Sequence, residues 1–397
     1  MVKQPYSCVA VNWIKGSRSE AIGIFIFRSF KSGNLQQARV AISYLRVNYH
    51  FDYCRYRLPF RAPLWTAHGC WEAREGVILR LESEGGAISY GEACPIPWFG
   101  TETVNEVEEA CRQVGAETND AILDGLPEKL GCLRSAVHSA RMDWNAPEDE
   151  SARAVAALLP SGKQALDLIE PRAEAGFRTF KWKVGVGSVA DELVLLDDIC
   201  GRLSGGAKLR LDANGAWERR SAEKWLDRCA DYPVEYVEQP CFAEASAFAK
   251  AMGDKSAVSA AQRRAEDLLL GLAEDFPTPL ALDESIMSGH DVTRWIDQGW
   301  PGYFVLKTSL MGEAANALAA LEKADAKVVF SSALETAVGA KAALKRAFAW
   351  NGSPHALGFG VWPLFNDFEV NGPAAAPLIR WDDVTRIDEE ALWNALS

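Results

Sequence analysis

Nowhere does this chain of 397 residues run to eighteen consecutive apolar residues, the longest early stretch being Ala21 to Phe27 with a glycine inside it, so no helix is expected to span a bilayer. Ordered cysteines are missing as well. The nine present (Cys8, Cys54, Cys70, Cys94, Cys111, Cys132, Cys200, Cys229 and Cys241) are an odd number with no Cys-x-x-Cys pair, which argues against a zinc or disulfide framework and for a reducing compartment. Positive charge is short: 42 Lys and Arg against 54 Asp and Glu leave a net charge of −12, the wrong sign for a nucleic-acid partner. Of the five histidines, His50, His138 and His290 sit beside no Ser or Cys in a nucleophile motif, so hydrolase chemistry has little support. What is present, 48% hydrophobic and 24% charged residues, is an ordinary globular composition, and small molecules become the expected partners. The length suits two domains, or one large barrel with an attachment.

Charge is unevenly spread. Residues 1–57 carry nine Lys/Arg and two Asp/Glu, leaving −19 on the rest of the chain. Residues 1–50 are rich in Ser and Arg and show no clean period of 2 or 3.6, which suits a targeting presequence, a disordered arm or a start codon called too early. The compartment is accordingly cytoplasmic, unless that segment addresses an organelle. Residues 51–150 read as a small α+β domain, with short strands at Arg55–Leu58, Gly76–Glu82 and Ala87–Tyr90 followed by helices around Val104–Val114 and Cys132–Trp144.

From residue 151 the chain changes to strand-then-helix units. Apolar runs near 154, 179, 208, 234, 280, 303, 327 and 355 give eight strands, the grammar of a (β/α)8-type barrel. The fold class is therefore α/β, a barrel with an N-terminal α+β capping domain, and residues 372–397 return to the cap. Polar residues mark the strand ends at Lys183, Asp212, Glu238, Asp283 and Lys307, at intervals of 29, 26, 45 and 24. The long interval calls for an insert, which we place at the helical run 256–274 as decoration on one βα loop.

Alternation along TFKWKVG puts Lys181 and Lys183 on one face and Phe180 and Trp182 on the other. Alone, a Lys-x-Lys strand reads more readily as a solvated face. A parallel barrel leaves no wet face along its strands, so these lysines belong at the C-terminal mouth. Three successive strands end in carboxylates, Asp212, Glu238 and Asp283. Singly each reads as a loop or cap acid; jointly they call for a hard cation, Mg2+ first and Mn2+ as the alternative. By parity Gln239 and Glu284 point away from the ligands and, with Asn214, take supporting roles. Lys307 lies across the barrel from Lys183. With a divalent ion the cluster sums to +2, which invites an anionic carboxylate substrate, and clustered cations lower a lysine pKa toward the range a base needs.

The segments KWK, LDANGAW, VEQP, LDES and VLKTSLMG, in this order, resemble the enolase superfamily, muconate-lactonizing-type subgroup, and within it the o-succinylbenzoate synthase family. RYRLPFRAPLWTAHGCWEAREGVILRLE and YGEACPIPWFGTET are similar to that family's capping domain, and the likeness runs from about Arg55 to about Asn371. The resemblance implies dehydration of 2-succinyl-6-hydroxy-2,4-cyclohexadiene-1-carboxylate to o-succinylbenzoate, a step toward menaquinone or phylloquinone. It implies Lys183 as the base, Lys307 as the cation on the opposite face and Lys181 as the residue that tunes Lys183. It also implies substrate contacts at Ser331 and Ser332, and a mobile loop, Pro63 to Arg74, that closes the mouth, with Arg74 among the substrate contacts. Arg210, on the face of Asp212, either reaches the substrate or packs against inner-barrel acids. The nearest alternative on this scaffold is an N-acylamino-acid racemase or dipeptide epimerase. The Asp-x-Asp of the epimerases is missing from LGFGVWPLFNDFEV, which has Asp367 alone. A catalytically silent barrel acting as a binding subunit is disfavoured, because no metal acid or lysine is lost.

Overall fold

The computed structural model describes residues 22–27, 39–44, 48–66, 69–142, 144–242 and 255–397. Near the N-terminus β1 (Ile22–Phe27) and β2 (Arg39–Tyr44) pair antiparallel, so the segment in which the sequence shows no period holds a two-stranded ladder. The cap domain then begins at Asn48, three residues before the expected boundary. Its β3 (Asn48–Thr66), β4 (Gly69–Ser83), β5 (Ile88–Ala93) and β6 (Glu117–Asn119) form an antiparallel sheet in the order β5-β4-β3-β6. Helices α1 (Val104–Val114), α2 (Asp120–Asp124) and α3 (Gly131–Arg141) complete it. Alternation decides the packing: Val77, Leu79 and Leu81 join Val107, Cys111, Leu133 and Val137 in the cap core, while Ile78 joins the core shared with the barrel. The expected loop Pro63–Arg74 is instead two arms of the β3–β4 hairpin, paired from Leu64↔Trp71 to Thr66↔Gly69. Its tip, 67–68, lies outside the described residues.

The barrel is entered through β7 (Arg153–Ala154) and β8 (Ala157–Leu159). It continues as α4 (Leu166–Glu174), β9 (Thr179–Lys183), α5 (Val189–Arg202), β10 (Lys208–Asp212), α6 (Arg219–Cys229), β11 (Val234–Glu238), α7 (Lys255–Asp275), β12 (Leu280–Leu282), α8 (Gly289–Asp297), β13 (Tyr303–Leu306), α9 (Ala315–Lys323), β14 (Lys327–Phe330) and α10 (Ala337–Phe348). Strands β8 to β14 lie side by side in chain order, all parallel. Among the described residues the eighth position holds no full strand: single parallel bridges Val155↔Leu357 and Ser331↔Gly358 close the ring. Gly358 permits this, since a Cβ there would stand 2.5 Å from Ser331 Oγ.

The helix over 255–275 corrects the sequence reading. It is no decoration but the barrel's own helix between β11 and β12, because Leu269 and Leu272 are fully buried in the main core. The 45-residue interval also takes in residues 243–254, which lie outside the described set. The chain ends with β15 (Leu378–Ile379), paired to β7, and a helix, Glu389–Leu396, against the cap. There Trp393 meets Tyr90 at 6.1 Å, and Cys54 Sγ donates to the Leu396 carbonyl.

Candidate active site

Strand register assembles the site. Across β9, β10 and β11, Lys183 pairs with Asp212 and Asp212 with Glu238, so all three stand at one height. Phe180 and Trp182 are buried in the core outside the strands, Trp182 at 6.2 Å from Trp225 of α6, which leaves Lys181 and Lys183 to the inside. Asp283 follows β12 directly and Lys307 follows β13. Tyr236, Ala281, Tyr303, Val305 and Val329 fill the barrel beneath this layer. The polar groups therefore rest on an apolar floor, at the C-terminal ends of the strands where barrel enzymes place their chemistry.

Lys181 Nζ lies 2.9 Å from Asp212 Oδ2 and 2.7 Å from Glu238 Oε1, and Lys307 Nζ pairs with Asp283 Oδ1. Burial opposes the Lys181 charge, but Asp212 and Glu238 outweigh it and hold the ammonium well above the usual lysine range. Burial likewise opposes Asp212, which Lys181, Lys183 and Lys307 nevertheless keep below the usual carboxylate value. Glu238 goes the other way: burial and then the Asp212 charge push it up to about 8. That push and the 2.7 Å ion pair disagree on whether Glu238 is ionised. We take it as a carboxylate, because Lys181 with three protons donates to it, and read the upward push as a shortage of positive charge around it. Lys183, level with Asp212, has no ion pair among the described residues.

A metal fits this shortage. Glu238 Oε2, Glu284 Oε2 and Asn214 Oδ1 are buried without a hydrogen-bond partner, and an unpaired buried carboxylate oxygen is costly unless a cation meets it. Among the described residues no three acids stand in closed coordination geometry, and two of the three acids that would hold the ion now take Lys181 and the third takes Lys307. Gln239 supports the set from a strained position, with φ of 39°. Its Oε1 accepts the backbone N–H of Asp283 and of Ser285, both at 3.1 Å, fixing the end of β12 against β11. Glu284 departs from the parity expectation. The strand stops at Leu282, so alternation no longer applies, and Glu284 turns to accept from Asn214 Nδ2 at 3.0 Å within the field of Asp283 and Asp212.

Of the four expected substrate contacts, Arg74 is engaged away from the strand ends and Arg210 takes its packing alternative, while Ser331 and Ser332 follow β14 at the level of Lys307. Arg74 is 1% exposed and, among the described residues, donates to backbone carbonyls alone, those of Leu334, Glu75, Pro95, Cys94 and Ala333. It is a staple between the cap and the loop after β14. Arg210 lies deeper in the barrel, donating to Glu235 Oε2 at 2.6 Å and to the Ala356 carbonyl at 2.7 Å. The register slips between Leu209 and Arg210, making Glu235 an extra residue on β11, and this bulge turns it inward to meet the guanidinium. Ser332 Oγ accepts from Leu334 N and donates to Glu335 Oε2, while its own N–H closes the barrel on Gly358. Ser331 is buried, its N–H bonded to the Leu306 carbonyl and its hydroxyl packed on Gly358.

Two residues with a part in this arrangement escape the sequence reading. Glu235 was hidden because alternation, applied without a bulge, faces it outward. Phe99 lies in the quoted stretch YGEACPIPWFGTET, whose Pro-x-Phe-Gly signals a tight turn, yet nothing local shows that the turn overhangs Lys307 at 4.8 Å.

A profile described as Enolase C-terminal domain-like matches residues 164–376. The o-succinylbenzoate synthase of Thermosynechococcus vestitus is 39% identical over 315 residues, covering 77% of this chain and 90% of that protein. The hydrophobic dipeptide epimerase of Roseobacter litoralis is 26% identical over 272 residues, covering 63% and 72%. Among solved structures, o-succinylbenzoate synthase from Thermosynechococcus elongatus, complexed with magnesium in its active site, superposes with a TM-score of 0.70 at 35% identity, covering 87% of this chain and all of that one. The chain belongs to the enolase superfamily. Within it, it is an enzyme of the o-succinylbenzoate synthase family, a family of lyases.

Proposed function

We propose that this enzyme dehydrates 2-succinyl-6-hydroxy-2,4-cyclohexadiene-1-carboxylate to o-succinylbenzoate, the aromatising step toward menaquinone or phylloquinone. The observation that carries the reading is the level ring of Lys183, Asp212 and Glu238, with Asp283 and Lys307 beside it, in a chain 39% identical to a named synthase. Asp212, Glu238 and Asp283 would hold a divalent cation, Mg2+ as in the related structure or Mn2+, and that ion would supply Lewis-acid stabilisation to the substrate carboxylate. Lys183 Nζ takes the proton α to the carboxylate, and the C–H electron pair becomes the enediolate. Lys307, on the opposite side, meets the growing negative charge as an ammonium. Lys183 then returns the proton to the departing hydroxyl on its own face, water leaves and the ring becomes aromatic. The turn at Pro97–Phe99, whose Phe99 ring lies over Lys307, shields that ammonium from water.

A second reading is favoured by one observation: lysines stand on both sides of the site, as racemization or epimerization requires. The test for both is one assay, with the hydroxycyclohexadiene carboxylate and N-succinyl amino acids supplied separately, with Mg2+ and with a chelator. Metal-dependent appearance of the aromatic product supports the synthase. Fast exchange of both amino-acid enantiomers, with no aromatic product, rejects it in favour of the racemase.

A further inference from the structure

We infer that Phe99 of the cap is a positioning residue for Lys307, its ring holding the ammonium from a second domain without neutralising it; this rests on the proposed role of Lys307 as the cation facing the substrate. The Phe99 ring centroid is 4.8 Å from Lys307 Nζ, inside the range at which a ring face attracts an ammonium. Phe99 is half-buried and the Lys307 side chain is 14% exposed, so the contact is shielded from water, where such attraction is stronger.

The turn that carries Phe99 is built to stay in place. Pro97 sets the first φ of a 3-10 turn, Phe99 N donates to the Ile96 carbonyl at 2.9 Å, and Gly100 N donates to that of Pro97 at 3.0 Å. Gly100 leaves the turn at φ of 96°, open to glycine alone at little cost. Ile96 N is tied to Thr101 Oγ1 at 2.7 Å. Next to Phe99, Trp98 packs edge-on against Trp71 at 4.7 Å, and Trp71 carries the Arg74 guanidinium at 5.2 Å. The ring is thus braced through Trp98, Trp71 and Arg74 to the loop after β14.

The chemistry explains why a ring stands there. A carboxylate beside Lys307 cancels its charge and can take its proton, and Asp283, its other partner, is one of the three acids given to the metal. A ring face does neither. Its quadrupole favours the ammonium, leaves the full charge for the enediolate and offers no lone pair.

The test uses the full chain with Phe99 replaced by 4-fluoro-, 3,5-difluoro- and 3,4,5-trifluorophenylalanine, rings of nearly constant shape whose pull on a cation weakens with each fluorine. We expect kcat to fall stepwise by roughly 10- to 30-fold over the series, with KM changing by no more than about twofold. In protein labelled with 13C-lysine, the Lys307 ε-methylene resonance should lie upfield and return toward the ordinary position in Phe99→Leu. A flat kcat over the fluorinated series, or a Lys307 resonance unmoved by Phe99→Leu, overturns the inference. Failure of the proposed function is seen separately, in wild-type protein that forms no aromatic product; the same series is then read on α-proton exchange of N-succinyl amino acids, with a graded loss supporting the role and a flat one rejecting it.

Discussion

Both carboxylate oxygens of Glu92, at the end of the cap's β5, accept the backbone N–H of Thr336, at 3.0 and 3.1 Å, where the barrel turns from β14 into α10. Glu92 Oε2 also accepts from Gly339 N at 2.8 Å and from the Thr336 hydroxyl, and Oε1 accepts from the Tyr56 hydroxyl. A carboxylate at a helix N-terminus satisfies open N–H groups and meets the positive end of the helix dipole, a task normally done by the preceding residue. Here it comes from another domain, next to the Arg74 staple, so the cap is fastened to the loop that ends β14. We predict that Glu92→Ala costs about 3–5 kcal/mol, since it strands several buried donors at once. Glu92→Gln, which keeps acceptors but loses charge, should cost less. Urea unfolding of the metal-free proteins measures both.

Glu335 lies against the same junction, fully buried, with Oε1 unpaired and Oε2 bonded to Ser332. Burial and then the charge of Glu92 push its carboxyl up to about 7. A carboxyl whose pKa is higher folded than unfolded favours the folded state fully at pH below about 4.5, and this contribution fades as pH rises through about 7. The loss amounts to at most about 3 kcal/mol. Glu335→Gln removes the titration. The stability difference between the two proteins, followed by urea unfolding from acid to pH 8, should shift in the variant's favour across that window; a difference constant with pH would show that Glu335 does not titrate there.

How much of this was legible in the sequence follows from which interactions are local. The inward pair Lys181 and Lys183 and the strand-end acids Asp212 and Glu238 were readable because alternation holds along intact strands. It failed where the ladder does: at Glu235, a bulge, and at Glu284, past the end of β12. Arg74 was misread because a buried arginine with five carbonyl partners is invisible until residues 260 apart meet. The helix 255–275 was misplaced for a different reason. Its apolar period was recognised, but spacing alone does not say whether a helix lies in the barrel layer or outside it.

The metal site gives a sharper expectation. Glu238→Gln keeps an acceptor for Lys181 but removes the carboxylate that burial pushes up, so the metal-free protein should melt no lower than wild type. Mg2+ binding, followed by calorimetry, should be lost in Glu238→Gln, Asp212→Asn and Asp283→Asn alike. Glu284→Gln acts one step removed, through Asn214, and should weaken binding by roughly 10-fold. Normal binding in Asp283→Asn together with loss in Glu284→Gln would exchange the roles of these neighbours.

The two lysines separate dehydration from racemization. In the proposed elimination one base serves both proton transfers on one face, so Lys183→Ala should lose essentially all turnover of the cyclohexadiene substrate. Lys307 supplies charge and no proton. Its replacement by alanine should cost about 3–4 kcal/mol of barrier, a 10²- to 10³-fold fall in kcat, and leave a measurable rate because aromatisation draws the reaction forward once the enediolate forms. A racemase needs each lysine as a base for one enantiomer. Exchange into N-succinyl amino acids in deuterated water reads this out: in a racemase Lys183→Arg blocks exchange from one enantiomer only, whereas with Lys183 as the single base it abolishes exchange altogether. Equal and complete loss of dehydration in Lys183→Ala and Lys307→Ala would mean that both lysines handle protons, and the single-base elimination would have to be abandoned.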